Sequence, residues 1–329
     1  MTTMRKPFRF GLMSNGGDTP SDTVRLAQQA EALGFHGFYI NDHYAGPGPA
    51  MTAANHAPQV LAALPLAAAI AGNTSAIAIG FRVICIDYHH PVVLAKELAT
   101  IDAISPGRLD VGLGAGWMKS EYDAMGIPFD PPGTRIDRLG DVVKILRASF
   151  AGEPLDVAGV TGLQVAGFSA RPVPEKMPTI AIGGGRRRML SLAARLGDVV
   201  AFNVAVGDKL APSILDLSNA QKTREQIGWV RDAADDRFDE LELEVGVPFV
   251  VHSDRIDESL EARLVEETGG LLRMSTSAAL EHPHVLIGDV DRIVDTLEER
   301  RDTYGFNRVT VLARNMEKFA PVVARLGGR

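Results

Sequence analysis

The pattern that most limits how this chain can fold is a unit that recurs as "AEALGFHGFYI", "LAARLGDVVAFN" and "RRDTYGFNRVTVL". Each reads as the end of a helix, a glycine (Gly34, Gly197, Gly305) and, shortly after, an apolar strand. Glycine suits the left-handed position that stops a helix. The reverse step is as legible. "FRFGLMS" runs into "PSDTVRLAQQAEAL", where Ser21 is the expected cap. "AIAIGFRVICI" runs into "HPVVLAKELATIDAIS", where Pro91 fits the first turn and Leu94, Leu98 and Ile101 form an apolar stripe. Strand and helix alternating with short connections mean a parallel sheet covered by helices. Strands are expected near 8–13, 37–41, 76–84, 108–113, 179–183, 198–202, 243–251 and 308–313. Eight is the number of a closed (β/α)8 TIM barrel, which takes about 250 residues. The chain has 329, so the surplus is assigned to insertions near 117–133, 152–178, 203–218 and 252–285 of one domain without a linker. An open doubly wound sheet would call for G-x-G-x-x-G after its first strand, and "MSNGGDTP" lacks that spacing.

Composition narrows the function classes. The net charge of −7 argues against a general nucleic-acid role. The single cysteine, Cys85, has no internal disulfide partner and reads as packing in an apolar strand, which suits the reducing cytoplasm. "MTTMRKPFRFGL" lacks the apolar stretch of a signal peptide. "VLAALPLAAAIAG" is too short to span a bilayer and contains Pro65, so it reads as a buried helix.

A barrel does chemistry at the C-terminal ends of its strands. Those ends carry Ser14-Asn15, Asn41-Asp42-His43, Asp87-Tyr88-His89-His90, Gly114-Ala115-Gly116, Gly183-Gly184-Gly185 and Asn203. Asp42-His43 is the clearest acid–base candidate, because a carboxylate can fix a histidine's tautomer. The competing reading is a loop histidine bonded to backbone. Asp42, His43, His89 and His90 are metal-ligand types, yet no H-E-x-x-H is present, and no metal is expected. There is no G-x-S-x-G elbow either. "IGGGRRRML" puts Arg186, Arg187 and Arg188 at a helix start, where each cation is disfavoured by roughly a few tenths of a kcal/mol. An anion held between the glycine N–H groups and the arginines would resolve this. A tight turn with solvated arginines is the alternative.

With "EALGFHGFYINDHY", "HPVVLAKELATIDAISPGRLDVGLGAGW", Glu121, "MPTIAIGGG", "AARLGDVVAFN" and "VLIGDVDRIVDTLEERRDTYGFNRVTVL", the chain resembles the luciferase-like monooxygenase superfamily. Within it, the likeness is to the coenzyme F420-dependent oxidoreductases. The resemblance implies a barrel with insertions, a homodimer, a deazaflavin or flavin at the mouth, and hydride exchange with a small organic substrate. It implies that His43, with Asp42 and Glu121, is catalytic, and that Arg82-Val83 is a non-prolyl cis peptide behind the ring, followed by Ile84. It sets Gly183, Gly184, Gly185, Arg186 and Arg187 on the phosphate side, with Ser14, Gly114, Ala115, Gly116, Trp117 and Asn203 completing the cofactor's surroundings. Trp117 is a departure, standing where the family's sugar-phosphate dehydrogenases carry a glutamate. That puts a sugar phosphate in doubt, and leaves Trp117 to stack on a ligand or to pack in its loop. Two alternatives stay open: an FMN-dependent monooxygenase using reduced flavin and oxygen, and a cofactor-binding protein without catalysis. The arginines favour F420, whose tail carries carboxylates beyond its phosphate.

Overall fold

The computed structural model describes residues 5–203, 218–253, 255–257, 259–268, 270 and 272–329. Eight parallel strands form the barrel: β1 (Arg9–Ser14), β2 (Gly37–Ile40), β3 (Ala78–Phe81), β4 (Leu109–Gly114), β5 (Thr179–Gly184), β6 (Val199–Phe202), β7 (Glu242–Val247) and β8 (Phe306–Leu312). Each pairs with the next, and β8 closes on β1 through Phe10 opposite Val309. The expected eight strands are therefore those found.

The helices follow their sequence signals, with local corrections. Pro91–Ile104 starts on its proline and buries Leu94, Leu98 and Ile101 against the barrel. A leucine buried this completely contributes about 1.5–3 kcal/mol. Pro20–Ala32 is capped by the Thr19 side chain, which accepts from Asp22 N, and not by Ser21. The helix begins two residues earlier than Ser21 as cap would allow, because Pro20 takes its first turn. Gly34 and Gly305 have positive φ as expected. Gly197 does not; its φ is −86°, and it is needed because a Cβ there would lie 2.9 Å from the Ala193 carbonyl oxygen.

Two strands end sooner than their apolar runs suggest. The run at 76–84 leaves the sheet after Phe81, and the chain rejoins as Ile84–Cys85 beside the upper end of β4. Between them lies a cis peptide at Arg82–Val83. The strand expected at 243–251 stops at Val247, and after Pro248 the chain forms Phe249–His252, which pairs with Val285–Gly288 outside the barrel. These two strands cover a small second core with Leu260, Leu264, Leu272 and Ala279. Of the other segments assigned to insertions, 117–133 holds the helix Lys119–Met125, and 152–178 holds an antiparallel hairpin. The segment 203–218 lies almost wholly outside the described residues. Among the described residues no helix is long and apolar enough to cross a membrane.

The barrel interior is polar in a way the strand pattern hides. Arg308 donates to Asp110 at 2.9 Å and to Glu242 at 2.6 Å, and the Tyr39 hydroxyl donates to Asp110 at 2.9 Å. Burial would raise the Asp110 pKa, but Arg308, His36 and the Tyr39 hydrogen bond together outweigh it and the net shift is downward. Close to the mouth, Gly112 lets the Phe81 carbonyl approach β4 closely: a Cβ there would sit 1.8 Å from its oxygen. Gly112→Ala is therefore expected to cost about 3 kcal/mol, at the upper end of overpacking penalties. Urea denaturation measures this directly.

Candidate active site

A cavity of about 460 Å³ opens at the C-terminal mouth, within the usual range for small-molecule sites. Apolar walls come from Met13, Val83, Met118, Val247 and Leu312, and polar groups from Asp42, His43, His56, Tyr88 and Asn203. The cavity lies where the strand ends converge, so the fold places it before any side chain is considered.

His43 follows β2 directly. Its Nδ1 lies 2.7 Å from Glu121 Oε2, although the two are 78 residues apart. Glu121 is wholly buried in the first turn of the helix Lys119–Met125. Its other oxygen accepts from Tyr44 N at 2.7 Å and Ala45 N at 2.9 Å, and the Tyr88 hydroxyl donates to Oε2 at 2.9 Å. Burial alone would raise the Glu121 pKa. The His43 hydrogen bond and charge, with the two backbone N–H groups, more than reverse this and hold it at about 2 against an ordinary 4.5. The carboxylate is thus ionised at neutral pH, and His43 Nδ1 must be the donor. Nε2 is left as the nitrogen where a proton can be held or released.

The expected partnership of Asp42 with His43 is not made. Asp42 points its Oδ2 to His89 Nε2 at 2.8 Å and to Cys85 N at 3.1 Å. Adjacent side chains leaving an extended segment diverge, so a neighbour in sequence is poorly placed to hold the ring. Its Oδ1 is buried beside the cavity with no partner among the described residues. His43 is thus held by Glu121 and His89 by Asp42, each by its own carboxylate.

The other predicted residues separate into those on the cavity and those behind it. Arg82, Val83, Gly116, Trp117 and Asn203 line it. Ser14, Ile84, Gly114 and Ala115 do not; Ser14 Oγ accepts from Gly16 N at 3.1 Å, and Ile84 is in the core. Arg82 reaches down into the barrel to Glu244 at 2.9 Å and Asn203 at 3.1 Å. Gly116 has φ +75°, and a Cβ there would collide with the Tyr122 hydroxyl. Arg135, which the sequence reading did not single out, donates to the carbonyls of Ala115 and Gly116 and braces this turn from below. Cys85 is buried with its Sγ 3.2 Å from Tyr122 Oη, and burial pushes its thiol up to about 12, so it packs as expected.

The glycine run has a packing reason. A Cβ on Gly183 would lie 2.6 Å from Asn203 Nδ2, and one on Gly184 would lie 2.3 Å from Met189 Cγ. Arg186, Arg187 and Arg188 are exposed at the start of the helix Arg187–Leu196. Arg188 pairs with Asp137 at 2.7 Å, whereas Arg186 and Arg187 make no hydrogen bond or ion pair among the described residues.

A closed parallel barrel whose mouth holds a histidine clamped by a buried carboxylate has the form of a barrel enzyme with a positioned acid–base group. The luciferase-like monooxygenase family model matches residues 4–309, and the chain belongs to that family. The chain is 29% identical over 234 residues to an F420-dependent glucose-6-phosphate dehydrogenase of Microbacterium testaceum, covering 68% of this chain and 67% of that one. A protein of the same description from Amycolatopsis mediterranei is 26% identical over 285 residues, covering 84% and 78%. The coenzyme F420 dependent tetrahydromethanopterin reductase of Methanopyrus kandleri has the same fold, with a TM-score of 0.72, 20% identity and 98% of each chain covered.

Proposed function

We propose that this chain is an F420-dependent oxidoreductase that exchanges a hydride between the deazaflavin and a small organic substrate. The observation that carries the reading is the His43–Glu121 pair on the wall of an apolar mouth cavity. The similarity to F420-dependent dehydrogenases supports it. The cavity's residues fit such a group. Val83 and Met13 offer apolar surface to a planar ring, and the orphaned Asp42 Oδ1 offers a buried acceptor to an N–H or O–H at its edge. Bound there, the deazaflavin supplies the two-electron hydride chemistry. The chain does the rest. Glu121 fixes the His43 tautomer, His43 holds or takes a proton at Nε2, and Trp117 and Met118 wall the mouth against water.

FMN-dependent monooxygenation is the second reading, favoured by the monooxygenase relatives in the family. Titrating the protein with F420 and with FMN by calorimetry decides between them; F420 is expected to bind and FMN to bind far more weakly. We further infer a homodimer of single-domain protomers, supported by the family resemblance, by exposed Tyr44, Val60 and Val93, and by a second core whose strand Phe249–His252 continues from β7, and a cytoplasmic location, which the single cysteine suits.

In this reading Arg186 and Arg187 meet the cofactor's anionic tail beyond Gly185. Reversing both to glutamate is expected to weaken F420 binding roughly tenfold or more, the scale of one lost charge-assisted contact. The salt dependence of binding should flatten at the same time. Unchanged affinity at low and high salt would return the arginines to solvent.

A further inference from the structure

His56 belongs to the segment between β2 and β3 and has no place in the scheme above. It lines the mouth cavity, and it also borders an adjoining cleft of about 440 Å³ formed by residues 47–58. Its ring centroid is 4.6 Å from that of His43 and 5.9 Å from that of Trp117, so three rings meet at tilted and edge-on angles on this wall. His56 Nδ1 lies 2.7 Å from the Ala57 carbonyl oxygen. A carbonyl only accepts, so Nδ1 carries the hydrogen. Burial first, and then the neighbouring His43 charge, lowers the His56 pKa below the ordinary 6.5, which leaves the ring neutral at pH 7. A neutral imidazole with its hydrogen on Nδ1 presents Nε2 as a pure acceptor. That nitrogen has no partner among the described residues.

The charges around it restrict what can come to it. Among the described residues the cavity's one lysine or arginine is Arg82, which is engaged by Glu244 at 2.9 Å. The remaining walls are largely apolar. A dianionic phosphate would meet Asp42 and find no uncommitted cation here.

We propose that His56 is a specificity-determining residue, whose Nε2 accepts a hydrogen bond from a hydroxyl of an uncharged, mostly apolar substrate held against Trp117. The proposal rests on the reading of the mouth as the substrate site of an oxidoreductase. It also gives the Trp117 departure a physical meaning. The polar contact that recognises the substrate comes from the β2–β3 segment, and the position after β4 supplies an apolar wall.

The test uses the full chain with ¹⁵N-labelled histidine, and as probes cyclohexanol and methoxycyclohexane, which share a ring but differ in the hydroxyl. Inorganic phosphate is the anionic control. Cyclohexanol is expected to move the His56 Nε2 resonance, and neither the ether nor phosphate should do so. The ratio of the two affinities should fall roughly two- to tenfold in His56→Phe, the range of one net hydrogen bond, and should be partly kept in His56→Gln, whose amide oxygen can accept. F420 affinity should stay within about twofold of the parent in both variants, by the same hydrogen-bond scale. An unmoved Nε2 resonance up to the solubility limit of cyclohexanol, a ratio unchanged in His56→Phe, or an equal response to phosphate would each overturn the proposal. The probes are run with and without F420. Failure of F420 to bind the parent protein sinks the oxidoreductase reading, while the cofactor-free titration still reports on His56.

Discussion

His43→Ala is expected to slow hydride transfer by about 10²- to 10⁴-fold, the usual contribution of a positioned acid–base group. Stopped-flow absorbance of the deazaflavin measures it. Cofactor affinity should change much less, because His43 offers the ring one polar edge while the tail would be met near Arg186 and Arg187. His43→Asn is the sharper variant. It keeps size and hydrogen bonding, and loses only the capacity to exchange a proton near neutral pH. Both variants running at the parent rate would make His43 structural and pass the proton to Tyr88, the other protic group that both lines the cavity and bonds to Glu121.

Glu121→Gln should damage both rate and stability. The carboxylate accepts four hydrogen bonds, from His43 Nδ1, Tyr88 Oη, Tyr44 N and Ala45 N. An amide has one acceptor oxygen, so its NH₂ must face two of these donors. The backbone N–H groups cannot rotate away. The amide oxygen will therefore turn to them, and the NH₂ to His43 and Tyr88. His43 can then accept at Nδ1 only by moving its hydrogen to Nε2, the wrong tautomer for a base at the cavity. A rate loss approaching that of His43→Asn follows, with a downward bound of about 10²-fold.

The stability effect has a defined pH window. Glu121 has a folded pKa of about 2 against an ordinary 4.5. A carboxylate lowered in the folded state stabilises above its unfolded pKa and loses that contribution as pH falls through the folded one. The gain is therefore complete above pH 4.5 and disappears toward pH 2. Its size is about 3 kcal/mol from the pKa difference, since each unit is worth about 1.4 kcal/mol. Urea denaturation of parent and Glu121→Gln should differ by about this much at pH 7 and converge in acid. A constant difference across that range would place the loss in packing. Asp42→Asn should leave the His43 tautomer intact, because Asp42 bonds to His89.

What the sequence by itself determined was the barrel. Glycine-stopped helices feeding apolar strands are local signals, each contained within a dozen or so residues, and alternation leaves a parallel sheet little choice. The side of the molecule that carries the site was legible for the same reason: strand ends with polar or glycine-rich residues all face one mouth. The resemblance supplied the cis peptide at Arg82–Val83, which no local pattern announces and which the structure contains.

What only the tertiary structure decided was partnership. Asp42 stands next to His43 in the chain, yet bonds to His89, and Glu121 reaches His43 from another strand–helix unit. Side chains of consecutive extended residues point apart, whereas barrel closure brings residues 78 positions distant to 2.7 Å. The same applies to Arg82. The resemblance placed it behind the cofactor ring, and in the structure it lines the cavity while its guanidinium is drawn down to a buried Glu244 inside the barrel. Glu244 and Asp110 sit on strands whose local pattern does not announce that their carboxylates meet arginines at the centre. The glycines of "IGGG" add a packing reason that no local pattern shows: Gly183 and Gly184 make room for Asn203 and Met189. Periodicity fixes which face of an element is buried. It does not say which charge will be waiting there, because that depends on neighbours the chain reaches only by closing on itself.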